Sequence, residues 1–410
     1  MPSASIVVLE GTGKWHQGDG RETVVLSAAM KELLFSLSVI GLAPGLAFGQ
    51  LVISANESKV TLVDGVMTTV KNPPADTVTI IDLGASPPKV VGELQVPASI
   101  VGPPESVAIA PDNSLALVTA ATKIDPADPS RTIPNNVVTV IDLQAKPPAA
   151  VATLQAGNGA SGVSFNPAGT LALVANRIEG TVSVFTVKGQ TVTAAGTVDL
   201  AAPESGPSHV AFTRDGRAAL VTRNNDSLIS ILDVDGQEVS YAKADLAAGL
   251  KPYSIEVSPE DDVAVVGNTG AGASGGVDTV SVIDLGVKPP RAIAHATVGP
   301  VAEGVAISPD GRYVAVTVMN GSNLPKTSPF YHEAGRLRIF GLSKKQLTPV
   351  ADVPTGRWCQ GAAFSRDNRT VAVQCAADRE ILLFAFDGRT VKRSGSLKVN
   401  GGPSGMRSGR

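Results

Sequence analysis

The sequence predicts an all-β protein, a seven-bladed β-propeller of four-stranded antiparallel blades, closed by a C-terminal strand that completes blade one. Three observations carry this reading. A hairpin of two apolar strands around a tight turn recurs along the chain. A third apolar strand and a more polar fourth follow each hairpin. One unit at the front lacks its first strand, and one strand at the far end lacks a unit. Composition agrees: 42 glycines and 29 prolines among 410 residues make a chain that turns often, and 43 % hydrophobic against 17 % charged residues excludes both disorder and a charged-helix protein.

The hairpins are VAIAPDNSLALVTA (107–120), VSFNPAGTLALVAN (163–176), VAFTRDGRAALVTR (210–223), IEVSPEDDVAVVGN (255–268), VAISPDGRYVAVTV (305–318) and AAFSRDNRTVAVQC (362–375). Alternating or short continuous apolar runs on both sides of such turns are a hairpin signature. Third strands follow as VVTVIDL (137–143), TVSVFTV (181–187), LISILDV (228–234), TVSVIDL (279–285), LRIFGL (337–342) and ILLFAF (381–386). Four strands in a repeat of about 40–55 residues describe a propeller blade. At the front, 51–57, 76–83 and 90–96 supply strands two, three and four of blade one, and GGPSGMRSG (401–409) is the expected first strand. Closure of this kind removes free sheet edges.

The second strands LVTA, LVAN, LVTR and VVGN, with the VTVIDL third strands, resemble the YVTN-repeat propellers and the related lactonase-like seven-bladed family over roughly 51–410. The most local part of the resemblance is Gly206-Pro207-Ser208-His209. The family often carries Gly-Pro-Arg-His there, followed by a His-Pro-Asp-Gly turn. This chain keeps the His, has Ser208 for the Arg and has Thr213-Arg214 for the His-Pro. The resemblance implies either lactone hydrolysis or plain ligand binding, with Arg177 or Arg223 standing in for the missing arginine.

Residues 33–49, LLFSLSVIGLAPGLAFG, form the only long apolar run, uncharged, interrupted by Pro44 and ending in a small-x-small pattern. Its 17 residues are short for a membrane span and suit a signal peptide. The expected organisation is a leader at 1–29, a signal peptide at 30–49 starting from Met30, and a single propeller domain at 50–410. That makes the mature protein periplasmic or secreted, with no stable membrane span after processing. GTGK at 11–14 lacks the spacing of a phosphate loop. A net charge of −3 offers no nucleic-acid footprint, and four His with two Cys leave too little for a structural metal site. No cofactor and no metal are expected, and the protein is read as a monomer.

In this fold the strand one–two and three–four turns share one face, here called the lower. The two–three connections and the approaches to strand one share the upper face, where the chain inserts length at 65–76, 121–136, 269–278 and 319–335. Long loops gathered on one face of a rigid scaffold favour binding there. Register places Glu105, Ser161, Ser208, Tyr253, Glu303, Gln360 and Ser404 around the upper channel mouth. The next positions are Ser106, Gly162, His209, Ser254, Gly304, Gly361 and Gly405, whose small members are expected to leave room. Arg177, Arg223, Asn176, Asn224 and Asn268 end second strands on the same side, and SPFYHEAG (328–335) is a candidate lid carrying Tyr331, His332 and Glu333. Glu105, His209 and Glu303 are the candidate catalytic groups, since water attack needs a base, an acid and a cation near the oxyanion. Arg177, Arg223, Tyr253, Gln360, Tyr331 and His332 are candidate ligand contacts.

Other features read more quietly. His295 lies on an outer strand, Asp82, Asp142 and Asp284 cap the third-strand turns, and Trp358 is either a stacking platform or a packing residue. Cys359 and Cys375 are each eight residues from Asp367 in the blade-seven hairpin, which sets them opposite one another. An oxidising compartment favours a disulfide; the alternative is two small apolar thiols. The resulting reading is an exported propeller that binds a small molecule or a protein on its upper face and no nucleic acid. The alternative is a lactonase-like hydrolase or lyase at the channel mouth. Protein recovered from the periplasm or medium is expected to begin near Gln50; N-terminal sequencing checks this, and an intact Met1 or Met30 there overturns it.

Overall fold

The computed structural model describes residues 50–260, 262–272 and 275–409. The expected leader and signal peptide lie outside the described residues. Residues 50–409 build seven four-stranded antiparallel sheets, each ordered from inner to outer strand. The two middle strands of a blade are covered on both faces, and their sequences are accordingly continuous apolar runs, such as Leu171–Asn176 with every residue buried. Outer strands alternate, as Arg291–Gly299 does between exposed and half-buried positions. Neighbouring blades share their cores: Leu117, Val138 and Val140 of blade two pack with Val163, Val174 and Phe185 of blade three. Each such fully buried Val or Leu contributes about 1.5–3 kcal/mol.

Blade one is built from both ends of the propeller. Its sheet order is Gly402–Ser408, Leu51–Glu57, Thr77–Asp82, Lys89–Gln95, with Val52 opposite Ser408 and Glu57 opposite Gly402. The hairpin turns on the lower face follow one chemistry. Asp112, Asp215, Asp310 and Asp367 each accept a hydrogen bond from the backbone N–H two residues on, in Ser114, Arg217, Arg312 and Arg369. The intervening residue is Asn113, Gly216, Gly311 or Asn368, at φ 57–70°, the left-handed region those residue types tolerate.

A second regularity lies on the upper face. The residue just before the inner strand takes a left-handed φ at Gly159, Gly206, Lys251, Val301, Trp358 and Gly401. For the β-branched Val301 and the bulky Trp358 this conformation is strained and persists only where surrounding contacts over-determine it. Immediately after, the inner strand bulges. Three residues from Pro207 to Val210 span two from Arg223 to Val221, and the same irregularity recurs from Ala160, Pro252, Ala302 and Cys359.

The blade-one insertion is more ordered than a loop. It contains a second hairpin, Val60–Val63 with Val66–Thr69, turning at Asp64-Gly65 with φ of 44° and 74°. The 121–136 insertion is largely strand as well, because Leu115–Ile124 and Thr132–Asp142 extend into it. Cys359 and Cys375 stand opposite one another, fully buried, joined by a disulfide at a Cα–Cα distance of 3.8 Å. Deleting 400–410 removes the inner strand of blade one and exposes two unpaired edges. The truncated protein is expected to lose soluble expression or to melt far below the full chain, and thermal denaturation of both decides.

Candidate functional site

The bulge decides what enters the channel. It turns Ser161, Ser208, Tyr253 and Gln360 inward together with the residue that follows each. The displaced carbonyls are captured across blade boundaries. Thr119 and Thr317 donate from Oγ1 to the carbonyls of Ser161 and Gln360 in the next blade, and Thr222 does so to Tyr253 at 2.7 Å. The glycines leave no void. A Cβ on Gly162 would stand 2.7 Å from His209 Cα, so glycine there lets adjacent inner strands approach closely.

Around the ring the structure assembles three groups. Glu105 reaches across the channel, where Ser254 Oγ donates to its Oε1 at 2.5 Å and His209 Nδ1 stands 3.9 Å from its Oε2. Glu303 accepts from the Gln360 amide at 3.1 Å, while Trp358 Nε1 donates to the other end of that amide at 3.1 Å. Arg177 donates from Nη1 to Ser208 Oγ at 2.5 Å and from Nη2 to Asn224 Oδ1 at 3.2 Å, and its guanidinium lies 5.4 Å from the Tyr253 ring centre.

The mouth is covered on one side. Val60 and Leu62 of the inserted hairpin pack with Ile100, Val301, Met319, Trp358 and Ala376, a cluster drawn from the upper loops of blades one, two, six and seven. Gly65 at the hairpin tip abuts Leu324 and Pro325, where a Cβ would stand 2.0 Å from the Pro325 nitrogen. Glu105, Glu303 and Gln360 are consequently buried, whereas Arg177 and Tyr253, toward blades three to five, stay half-buried. A surface hollow lined by Arg177, Ile178, Glu204, Ser205 and Asn225 lies against that uncovered side.

Burial sets the charges. Loss of water pushes the Glu105 carboxyl up to about 8, against the pull of the Arg407 charge and the Ser254 hydroxyl. Glu303 also rises to about 8, driven first by burial and then by the Glu105 charge, with Arg177 opposing. Burial, aided by Arg407, holds the His209 imidazole neutral well below its ordinary range. His209 Nδ1 accepts from the Ile255 N–H at 3.3 Å and Nε2 lies 3.4 Å from Ser164 Oγ, so both ring nitrogens are engaged inside the protein. At neutral pH Arg177 is therefore the main uncompensated charge of the upper ring.

Three candidates lie elsewhere. Arg223 turns into blade four, where Nη1 meets Ser230 Oγ at 3.1 Å and Asp245 at 3.0 Å, and Nη2 pairs with Asp226. The same strand position holds Asn176 and Asn268, whose amides likewise bond Ser183 and Ser281 of the third strand. It is an internal brace. Tyr331 and His332 sit in a loop whose Phe330 presses on Gly275 of the blade-five insertion; His332 is exposed and Tyr331 half-buried. The cover comes from the inserted hairpin in their place.

The lower half of the channel holds a cavity of about 360 Å³ opening between the hairpin turns. Its central ring, three residues further along each inner strand, is Ala108, Ser164, Ala211, Glu256, Ala306, Ala363 and Arg407. Glu256 and Arg407 were legible by the register that yields the upper ring, carried one step down the strand. Among the described residues no group of three or more His, Cys, Asp or Glu side chains converges as a metal site requires.

The profile of the family described as lactonase, 7-bladed beta-propeller, matches residues 137–278. Over that stretch the chain is similar to the lactonase-like seven-bladed β-propellers. No curated protein sequence matches it. Among solved structures, this propeller is similar to a candidate 6-phosphogluconolactonase of Bacteroides fragilis, at 15 % identity and TM-score 0.67, covering 89 % of this chain and 99 % of that one. It is similar to the periplasmic gluconolactonase of Pseudomonas aeruginosa, at 18 % identity and TM-score 0.62, covering 88 % and 99 %. A functionally unknown protein of Desulfotomaculum acetoxidans matches at 13 % identity and TM-score 0.65, over 88 % and 99 %. At such identity the shared property is the fold.

The carboxyls of this lactonase-like propeller carry a stability consequence. A carboxyl whose folded pKa is raised from 4.5 to about 8 makes the folded state hold its proton more tightly than the unfolded chain. That contribution is complete below about pH 4 and is lost as pH rises toward 8. Glu303→Gln, which keeps the shape and cannot ionise, is expected to melt a few degrees above the wild type at pH 9 and to lose that advantage at pH 5. Thermal melts of both proteins across that range check this.

Proposed function

We propose that the protein is an exported propeller that binds a small anionic molecule at the uncovered side of its upper channel mouth. One observation carries the reading: Arg177 is held in place by Ser208, Asn224 and Tyr253 beside two carboxyls that keep their protons at neutral pH. A positioned guanidinium in a partly dehydrated setting favours carboxylate or phosphate groups. The buried disulfide supports an oxidising compartment, and one structural neighbour is named a periplasmic gluconolactonase.

Lactone hydrolysis at the same place is the second reading, favoured by Glu303. A carboxyl titrating near 8 beside a guanidinium can exchange a proton near neutral pH and has a cation at hand for developing negative charge. Glu105 and His209, braced deeper in the channel, would position Ser254 and the ring. Purified protein is to be titrated with sugar-acid and phosphate ligands and assayed against a lactone panel. Arg177→Met is expected to weaken anion binding at least about tenfold. Binding should also weaken as pH rises through 8, because ionised Glu105 and Glu303 then oppose the anion. If lactone turnover occurs, Glu303→Gln abolishes it; unaltered binding in the Arg177 variant overturns the proposal.

A further inference from the structure

The lower cavity is separate from the upper mouth and has its own lining. Five of its seven ring positions are Ala or Ser, which leaves the cavity its volume of about 360 Å³, within the range of small-molecule sites, roughly 300–1,000 Å³. The other two are oppositely charged and meet across the bore from blades five and one, Arg407 Nη1 to Glu256 Oε1 at 3.1 Å. Their side chains are 22 % and 21 % exposed, so solvent reaches them. Pro111, Pro167, Pro259 and Pro309 line the mouth and hold its shape before any ligand arrives.

A partly buried ion pair adds little stability over small apolar residues, so bracing the fold does not account for placing these charges in an alanine-lined bore. Valence remains on both partners. Glu256 Oε2 accepts from the Ile307 N–H at 2.7 Å, leaving a second acceptor site on each carboxylate oxygen. Arg407 commits Nη1 to Glu256, and a guanidinium carries five N–H donors in all. The free capacity is thus a donor edge for an anion beside an acceptor for a cation. Arg214, which lines the rim, is engaged by Asp262 at 3.5 Å and by the Glu260 carbonyl at 2.8 Å, so the charge open to a ligand is that of Arg407 and Glu256.

We propose that this cavity binds a free α-amino acid, its carboxylate on Arg407 and its ammonium on Glu256, with the side chain along the alanine and serine wall. Adjacent opposite charges on the ligand match adjacent opposite charges on the protein. The full chain is to be titrated calorimetrically with the free L-amino acids, each beside the carboxylic acid lacking its amine and the amine lacking its carboxylate. At least one amino acid is expected to saturate a single site, with either truncated analogue at least about tenfold weaker. Glu256→Gln, which keeps an acceptor for the Ile307 N–H, should weaken it to a similar degree. Arg407→Gln should do the same in a protein shown by circular dichroism to be folded. Arg177→Met should leave the titration unchanged, which separates this site from the upper mouth. Absence of saturation by any amino acid up to about 10 mM, equal binding of an analogue lacking the amine, or full binding by Glu256→Gln overturns the proposal.

Discussion

The bulge at the top of most inner strands, with the hydrogen bonds that capture four of the displaced carbonyls across blade boundaries, is the constraint on which the rest of the structure depends. A bulge leaves a backbone carbonyl outside its own ladder, and a buried carbonyl without a partner is costly. Here the partner comes from the neighbouring blade: Thr119, Thr222 and Thr317 from second strands, and Gln374 Nε2 to Gly405 O at 2.8 Å at the closing seam. One interaction thereby does two things. It locks adjacent blades together near the axis, where apolar packing is thinnest, and it fixes which side chains enter the channel. The ring chemistry follows from a backbone requirement, and side-chain identity within the ring is then free to vary.

Polar contacts across the channel divide it into levels. Glu105 bonds Ser254 in the upper half, and Arg407 pairs with Glu256 below. Arg407 acts on both levels: its charge opposes ionisation of His209 and favours that of Glu105. Because it lies on the C-terminal strand, closure of the ring and the electrostatics of the channel are coupled through Gly402–Ser408. The disulfide fits the same frame. Cys375 occupies the second-strand position that Asn56, Asn176 and Asn268 hold in other blades, where the side chain ties the second strand to the third. In blade seven that position is tied to the inner strand, beside the strained Trp358 that covers the mouth.

The blades and their closure were legible because strand periodicity and turn chemistry are local signals repeated many times. The inner ring was legible because register follows from the same repeats. What was not legible depended on side-chain direction. Arg223 ends a second strand just as Arg177 follows one, yet Asp226 and Asp245 draw it into the blade, and only the folded sheet sets Asp245 beside it. The inserted hairpin was readable in part, since Asp64-Gly65 between apolar runs is a two-residue hairpin turn. Its destination over the mouth was not, because the contact with 324–326 spans some 260 residues of chain. Glu256 and Arg407 look like ordinary strand residues until the alanines at the equivalent positions of other blades are set beside them.

At Ser208 the positive charge comes from a different strand than the resemblance implies. The lactonase-like pattern leads one to expect an arginine at that position, beside the histidine. Here the position holds a serine, and the guanidinium arrives from blade three instead: Arg177 extends from the end of Leu171–Asn176 and bonds Ser208 Oγ at 2.5 Å. The shorter side chain at 208 makes the space that the incoming guanidinium fills, and Tyr253 stacks against it from blade five. Positive charge therefore reaches the mouth from the side that the apolar cover leaves open, while the two carboxyls beneath the cover are kept neutral by burial. The asymmetry of the cover, set by an inserted hairpin in one blade, is what leaves a pseudo-symmetric ring open on one side only.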